Sequence, residues 1–190
     1  MNILLLGGTE FVGRHITQMA IDRGHNICLF NRCNNIDIFP DVLRYCGDRN
    51  SFGEATSGHN IDDSIKIIRP IDCVIDVSGY YRHHVKSILD YVESDYYIFI
   101  STINVTLPDS DYAYGKIGCE IEIMNRVKNF LIFRPKELCG EYDNTDRFDY
   151  SKWPDVYYKG DDIPISYIDI ELFALTVISH MENKTVGIIQ

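Results

Sequence analysis

The stretch from Asn2 to Gly24 restricts the fold more than any other part of this chain. Asn2 to Leu6 is a short, continuously apolar run, the pattern of a strand covered on both faces in a parallel sheet. Gly7 and Gly8 end it. Phe11, Val12, Ile16, Met19 and Ala20 then recur at helical spacing, and Gly24 stands where a helix C-cap belongs. Strand, glycine turn and helix in that order form an anion cradle. Glycine lets the backbone come close, and the N–H groups that open the helix point at a phosphate. The dinucleotide fingerprint wants a third small residue between Gly7 and Gly13, where this chain has Glu10. A pyrophosphate here therefore requires Glu10 to turn outward to solvent. A βα turn that binds no nucleotide is the alternative reading of this stretch alone.

With 190 residues, 45% of them apolar, the chain can bury a sizeable core and reads as one domain over 1–190. No run approaches the ~20 apolar residues that span a bilayer. The N-terminus enters a strand at once with no basic leader, so no signal peptide and a cytoplasmic location are expected. Cys28, Cys33, Cys46, Cys73, Cys119 and Cys139 include no Cys-x-x-Cys pair, which argues against a metal cluster. They read as reduced thiols, several of them small hydrophobes, in a reducing compartment. The net charge of −10 argues against a general nucleic-acid surface.

Strands and helices alternate along the chain without internal repeats. Asn26 to Phe30 reads as the second strand and runs into Asn31-Arg32, some 18 positions after Gly13. In an NAD protein an Asp or Glu at that distance holds the adenosine ribose 2′-hydroxyl. Asn31 is neutral and Arg32 follows. A guanidinium pairs with a 2′-phosphate as a fork, and a charge-assisted bond of about 1.5–3 kcal/mol favours NADP by roughly tenfold to a hundredfold. The residues thus point to NADP, with NAD as the other cofactor and a solvated loop arginine as the bland alternative.

Val42 to Tyr45 is a short strand candidate ending in Cys46-Gly47-Asp48-Arg49, with Asp48 placed for a polar contact to adenine. Cys73 to Val77 follows, and its exit Ser78-Gly79 falls at the crevice edge where open α/β sheets bind ligands. His83 and His84 open a helix whose apolar face is Val85, Ile88, Leu89 and Val92; as a pair they read as surface residues. Tyr97 to Ile100 is the next strand, with Ser101-Thr102 at its carboxyl end, and Phe130 to Phe133 the sixth, leaving through Arg134-Pro135. Glu141 to Tyr158, with Trp153-Pro154, reads as loop or short helix. Pro164 to Ile168 is a short strand, Glu171 to Met181 an amphipathic helix through Leu172, Leu175, Val177 and Ile178, and Val186 to Ile189 a last edge strand. The fold class is α/β, a Rossmann-like doubly wound parallel sheet.

Tyr112 and Lys116 have the spacing Tyr-x-x-x-Lys and are followed by Ile117, Ile121 and Met124 on one side of a helix. Residues four apart share a helix face. An ammonium beside a phenol lowers its pKa from ~10 toward neutrality, so the phenol serves as acid or base. Thr102 would hold the substrate oxygen that Tyr112 protonates. In a chain with 13 tyrosines the spacing alone is weak, and Tyr114 lies on the same turn. Its place after the fifth strand, just beyond a Ser-Thr, gives it weight.

These segments together resemble the extended or atypical short-chain dehydrogenase/reductase superfamily. The likeness is to its NAD-dependent epimerase/dehydratase family, in the branch that opens Gly-Gly-Thr-x-Phe-Val-Gly. The resemblance runs through Gly7 to Gly13, Phe30-Asn31-Arg32, Gly47-Asp48-Arg49, Asp76 to Tyr80, Phe99 to Thr102 and Tyr112 to Glu120. It continues through Phe133-Arg134-Pro135, Thr145 to Phe148 and Tyr167-Ile168-Asp169. In that branch the middle glycine is often replaced, which accommodates Glu10. The resemblance implies Thr102 as catalytic hydroxyl, Tyr112 as acid/base and Lys116 as its activator, bonded also to the nicotinamide ribose. Cofactor contacts fall on Gly7, Thr9, Glu10, Phe11, Val12 and Gly13, on Asn31 and Arg32, and on Asp48, Ser78 and Gly79. The implied reaction is hydride transfer at nicotinamide C4, coupled to proton transfer by the tyrosine, on a nucleotide-activated sugar. A homodimer through the tyrosine helix is implied as well.

The chain also departs from that pattern. About ten residues separate Thr102 from Tyr112, where the family carries a longer loop, and Val105-Thr106-Leu107 stands in place of Val-Tyr-Gly. The substrate lobe, 135–166, is reduced, and the chain ends after Val186 to Ile189, where relatives add substrate-binding segments. Two other functions stay open: an NADP(H)-binding sensor or regulatory subunit without turnover, and RNA binding, which some relatives in this branch show.

Overall fold

β1 (Asn2–Leu6) is the strand from which both halves of the sheet grow. The computed structural model describes residues 1–51, 70–143 and 167–190. After β1 come α1 (Phe11–Asp22), β2 (Asn26–Asn31), β3 (Leu43–Cys46), β4 (Ile71–Asp76), α2 (Arg82–Tyr91) and β5 (Ser94–Ile100). Then follow α3 (Asp111–Arg126), β6 (Phe130–Phe133), β7 (Glu137–Cys139), β8 (Tyr167–Asp169), α4 (Ile170–Glu182) and β9 (Gly187–Ile189). Seven strands form one sheet in the order β3-β2-β1-β4-β5-β6-β9, and every pair is parallel. This is the doubly wound order, with its reversal of direction between β1 and β4. β7 and β8 form a separate two-stranded parallel ribbon.

Because side chains alternate along a strand, the unbroken apolar run of β1 supplies two cores at once. Ile3 and Leu5 pack with Ile16 and Ala20 of α1 and with Phe173, Val177 and Ile178 of α4. Leu4 and Leu6 pack on the opposite face with Val85 and Ile88 of α2 and Cys119 and Ile123 of α3. Burying one such side chain contributes roughly 1.5–3 kcal/mol, so a charge placed at any of these four positions would injure the layer that it faces.

Two expectations change, on α4 and at the cysteines. On α3 the side that carries Ile121 and Met124 faces outward, the two being 43% and 42% exposed. The helix instead buries Ala113, Lys116, Cys119, Glu120, Glu122 and Ile123. Its carboxylates tolerate this because each is paired, Glu122 with Arg82 and Arg126, and Glu120 with Arg134. On α4, Leu172 is exposed and the packed residues are Ile170, Phe173, Ala174, Val177, Ile178 and Met181. The cysteines are not all reduced: Cys33 and Cys46 form a disulfide, while Cys28, Cys73, Cys119 and Cys139 are free and buried. Thr145 to Phe148, Trp153-Pro154 and the first residues of the Pro164 to Ile168 segment lie outside the described residues. No described helix is long and apolar enough to cross a membrane, and the described residues hold no group of three or more potential metal ligands.

Candidate active site

The carboxyl ends of β1, β2, β4 and β5 open on one cleft of about 450 Å³, the place where open parallel sheets bind ligands. Its floor is the turn from Gly7 into α1. Gly7 has φ +87°, and a Cβ there would stand 2.7 Å from that of Ser78. A Cβ on Gly13 would stand 1.9 Å from the Gly7 carbonyl oxygen, so α1 closes on the turn only because this residue has no side chain. Thr17 locks the arrangement from behind, its one hydroxyl proton shared between the carbonyls of Gly8 and Gly13.

Gly7, Thr9, Glu10, Phe11 and Val12 line the cleft; Gly13 stands behind them. Glu10 is exposed, and its carboxylate accepts from Asn35 Nδ2 at 3.2 Å. It is thus drawn toward the loop after β2. Asn31 reaches back to Thr9 Oγ1 and accepts from the Cys33 N–H. Arg32 and Asp48 are both exposed on the rim, on the loops that follow β2 and β3. Ser78 lines the cleft, whereas Gly79 is buried under it, where a Cβ would come 2.9 Å from Asp76 Oδ2 and from the Phe99 ring.

Thr102, Tyr112 and Lys116 line the far end. Ser101 Oγ donates to Glu120 at 2.5 Å, and Arg134 grips the same carboxylate through two nitrogens. Thr102 Oγ1 accepts from the Asn104 N–H that opens a 3-10 turn, which leaves its own proton to give. Tyr112 is 42% exposed, its ring 5.9 Å from that of Tyr80. Lys116 is 2% exposed; its ammonium donates to the Ile100 carbonyl at 2.7 Å and lies 5.7 Å from the Tyr112 ring centre. Burial brings the Lys116 ammonium down to about 8, against the pull of Asp76.

Two groups under the cleft were not singled out from the sequence. Arg49 forks onto Asp76, with Nη1 to Oδ1 at 2.6 Å and Nη2 to Oδ2 at 2.7 Å, and also reaches Ser78 Oγ and the His84 carbonyl. Burial works to raise the Asp76 carboxyl, but the Arg49 guanidinium and the Tyr97 hydroxyl outweigh it and hold it below its ordinary value. The second group is His84, read as a surface residue but only 6% exposed. Its Nδ1 accepts from the Tyr80 N–H and its Nε2 faces Asn50 Oδ1 at 2.9 Å, which assigns the neutral tautomer with hydrogen on Nε2. Burial, then the charge of Arg49, lowers it to about 4. One signal was available: an aspartate that follows the buried apolar run Cys73 to Ile75 needs a cationic partner.

No protein-family model matches the chain. A chloroplast stem-loop binding protein of 41 kDa (form b) from Arabidopsis thaliana is 23% identical, over 73% of this chain and 42% of its own length. The chain therefore spans less than half of that curated relative. Among solved structures, dTDP-glucose 4,6-dehydratase from Bacillus anthracis, in complex with NAD, superposes with a TM-score of 0.72 at 13% identity, covering 99% of this chain and 73% of that one. A wide-type short-chain dehydrogenase/reductase from Veillonella parvula, in complex with NADP, gives 0.68 at 13% identity, covering 95% of this chain and 87% of that one. At these identities the likeness is one of fold. The Rossmann-like α/β architecture expected from the sequence is the one these enzymes share, in line with the superfamily resemblance.

Proposed function

We propose that this chain is an NADP(H)-dependent oxidoreductase of the epimerase/dehydratase type, acting on a nucleotide-activated sugar. The observation that carries this reading is that Thr102, Tyr112 and Lys116 line the same cleft as the glycine turn, from its opposite end. The residues present fit a dinucleotide. With no side chain on Gly7 or Gly13, α1 closes on the turn, and the N–H groups at its start would face a pyrophosphate in the cleft. Arg32 would take the 2′-phosphate and Asp48 the adenine. The cofactor, when bound, would supply or accept hydride at nicotinamide C4. Tyr112 would move the proton at the substrate oxygen, and Thr102 would orient that oxygen with the proton that Ser101, committed to Glu120, does not offer. Lys116 would hold the nicotinamide ribose and, at about 8, carry its charge near neutral pH.

The NADP-bound and NAD-bound neighbours support a nicotinamide dinucleotide, and the dTDP-glucose dehydratase supports a nucleotide sugar as substrate class. The outward face of α3, with Tyr114, Ile121 and Met124 exposed, supports a homodimer, which sedimentation would test. Calorimetric titration with NADPH and NADH, then turnover of keto-sugar nucleotides by the native chain and by Tyr112→Phe, tests the whole reading. Tight NADPH binding and turnover that falls by about 10²–10⁴-fold in Tyr112→Phe are expected. Failure to bind either nucleotide sinks the proposal.

A cofactor-binding sensor without turnover is the second reading, favoured by the short connection from Thr102 to α3, where Leu107 is 85% exposed. It prevails if NADPH binds and Tyr112→Phe changes nothing. The stem-loop binding in the chloroplast relative's name suggests a third, which the net charge of −10 opposes. A salt-dependent gel shift with structured RNA decides it.

A further inference from the structure

We propose that Cys33 and Cys46 are a redox-active pair, and that their thiol–disulfide exchange sets the order of the loop walling the nucleotide end of the cleft. In linking this to cofactor affinity, the inference rests on the dinucleotide reading above. The two cysteines sit 13 positions apart on neighbouring strand exits, with Cα atoms 5.3 Å apart, within the usual range for a disulfide. Asn31 pairs with Cys46 in the β2–β3 ladder, and the Gly47 N–H donates to the Asn31 carbonyl. Beyond that bond the two strands leave the sheet. One arm carries Asn31, Arg32 and Cys33 into the cleft wall, the other Gly47, Asp48 and Arg49. The disulfide ties the arms together at the point where the ladder stops.

The pair also differs from every other cysteine in the chain. The remaining four are buried and free, and burial pushes the Cys28 and Cys119 thiols up to about 12 and that of Cys139 to about 11. Such thiols are inert. Cys46 is exposed and Cys33 half-buried, so a reductant can reach the bond. The sheet does not need it, because β2 and β3 are already held by their own ladder. An exposed disulfide is reduced more readily than one in a core.

The balance is simple. A thiolate of a dithiol reductant attacks one sulfur, forming a mixed disulfide, and its second thiol completes the exchange. Cys33 and Cys46 leave as two thiols and the reductant as its disulfide, with two electrons and two protons transferred. A disulfide oxidant reverses it. Once released, Cys33, which stands in the left-handed region at φ +59°, is held by the bond from its N–H to Asn31 Oδ1 and no longer by its sulfur. Arg44 still clasps the carbonyls of Asn35, Ile38 and Phe39, so the freed part is the Arg32–Cys33 end beside the cleft. Arg32 then has to be ordered by the ligand itself, and affinity falls.

The test uses the full chain, oxidised with glutathione disulfide or reduced with a dithiol. Differential alkylation read by mass spectrometry reports the bond, hydrogen exchange reports residues 31–47, and calorimetry reports NADPH and NADH. In the native chain, oxidation should link Cys33 to Cys46 and raise protection over 31–34. Reduction should weaken NADPH binding about tenfold with a smaller change for NADH. Cys33→Ser and Cys46→Ser should each behave as the reduced protein under both conditions. Both thiols remaining alkylatable after oxidation overturns the proposal, as does a linked protein with unchanged exchange over 31–47. If protection follows the redox state but neither nucleotide binds in either state, the redox loop stands and the dinucleotide reading falls.

Discussion

Arg49 and Asp76 face each other as a two-pronged ion pair beneath the cleft, with contacts of 2.6 and 2.7 Å and no exposed surface on the carboxylate. The pair joins the loop after β3 to the end of β4, and through Ser78 and the His84 carbonyl it braces the floor of the cleft. Removing one member leaves a buried charge without its partner, which costs about 3–5 kcal/mol. Urea unfolding of Asp76→Ala should therefore show a loss of that size. The double variant Arg49→Met, Asp76→Leu should recover much of it, because the charge to be desolvated is gone. A double variant as unstable as the single one would contradict the assignment.

His84 makes stability fall in mild acid. Its folded value is about 4, while the unfolded chain titrates near 6.5, so between the two the unfolded state binds more protons. The contribution of neutral His84 is complete above about 6.5 and is lost as pH falls toward 4. Urea midpoints of the native chain and of His84→Gln, compared from pH 7 to 4, should converge as pH drops. A constant gap would place the titration elsewhere.

On the proposed reading, Arg32 would carry the choice between cofactors. Arg32→Ala should weaken NADPH by roughly tenfold to a hundredfold and leave NADH within about twofold. Equal losses for both would make Arg32 a contributor to loop structure rather than a reader of the 2′-phosphate. Side-by-side calorimetry distinguishes these.

Gly13→Ala tests the turn. With 1.9 Å between the new Cβ and the Gly7 carbonyl oxygen, backbone has to move. The variant should lose about 1–3 kcal/mol of stability, the usual toll of overpacking, and with it nucleotide binding. Retained affinity for NADPH would show that the close approach of α1 to the turn is not what shapes the site.

Much of the fold was legible because it depends on local pattern. The apolar run of β1, the helical recurrence through α1 and the alternation of strand and helix translate directly into a parallel sheet, and Gly7 and Gly13 announce a turn that no other residue can make. Tyr112 and Lys116 could be placed on one helix face from their spacing alone. On α3 the spacing put Ile117, Ile121 and Met124 on one side but did not say which side the fold buries. A local pattern registers apolar residues, not the Arg134 and Arg82 that other parts of the fold bring to Glu120 and Glu122.

What the amino-acid order determined alone was therefore the class of fold, the position of the glycine turn and the placing of Tyr112 and Lys116 on one helix. Each follows from periodicity or from a backbone that only glycine permits. Tertiary structure decided the rest. Arg49 meets Asp76 across 27 positions, and Cys33 meets Cys46 across 13. Lys116 turns its ammonium to the Ile100 carbonyl. These partners are chosen by which strand ends the sheet order sets side by side. That order is fixed by the summed burial of both cores, not by any neighbourhood in the sequence.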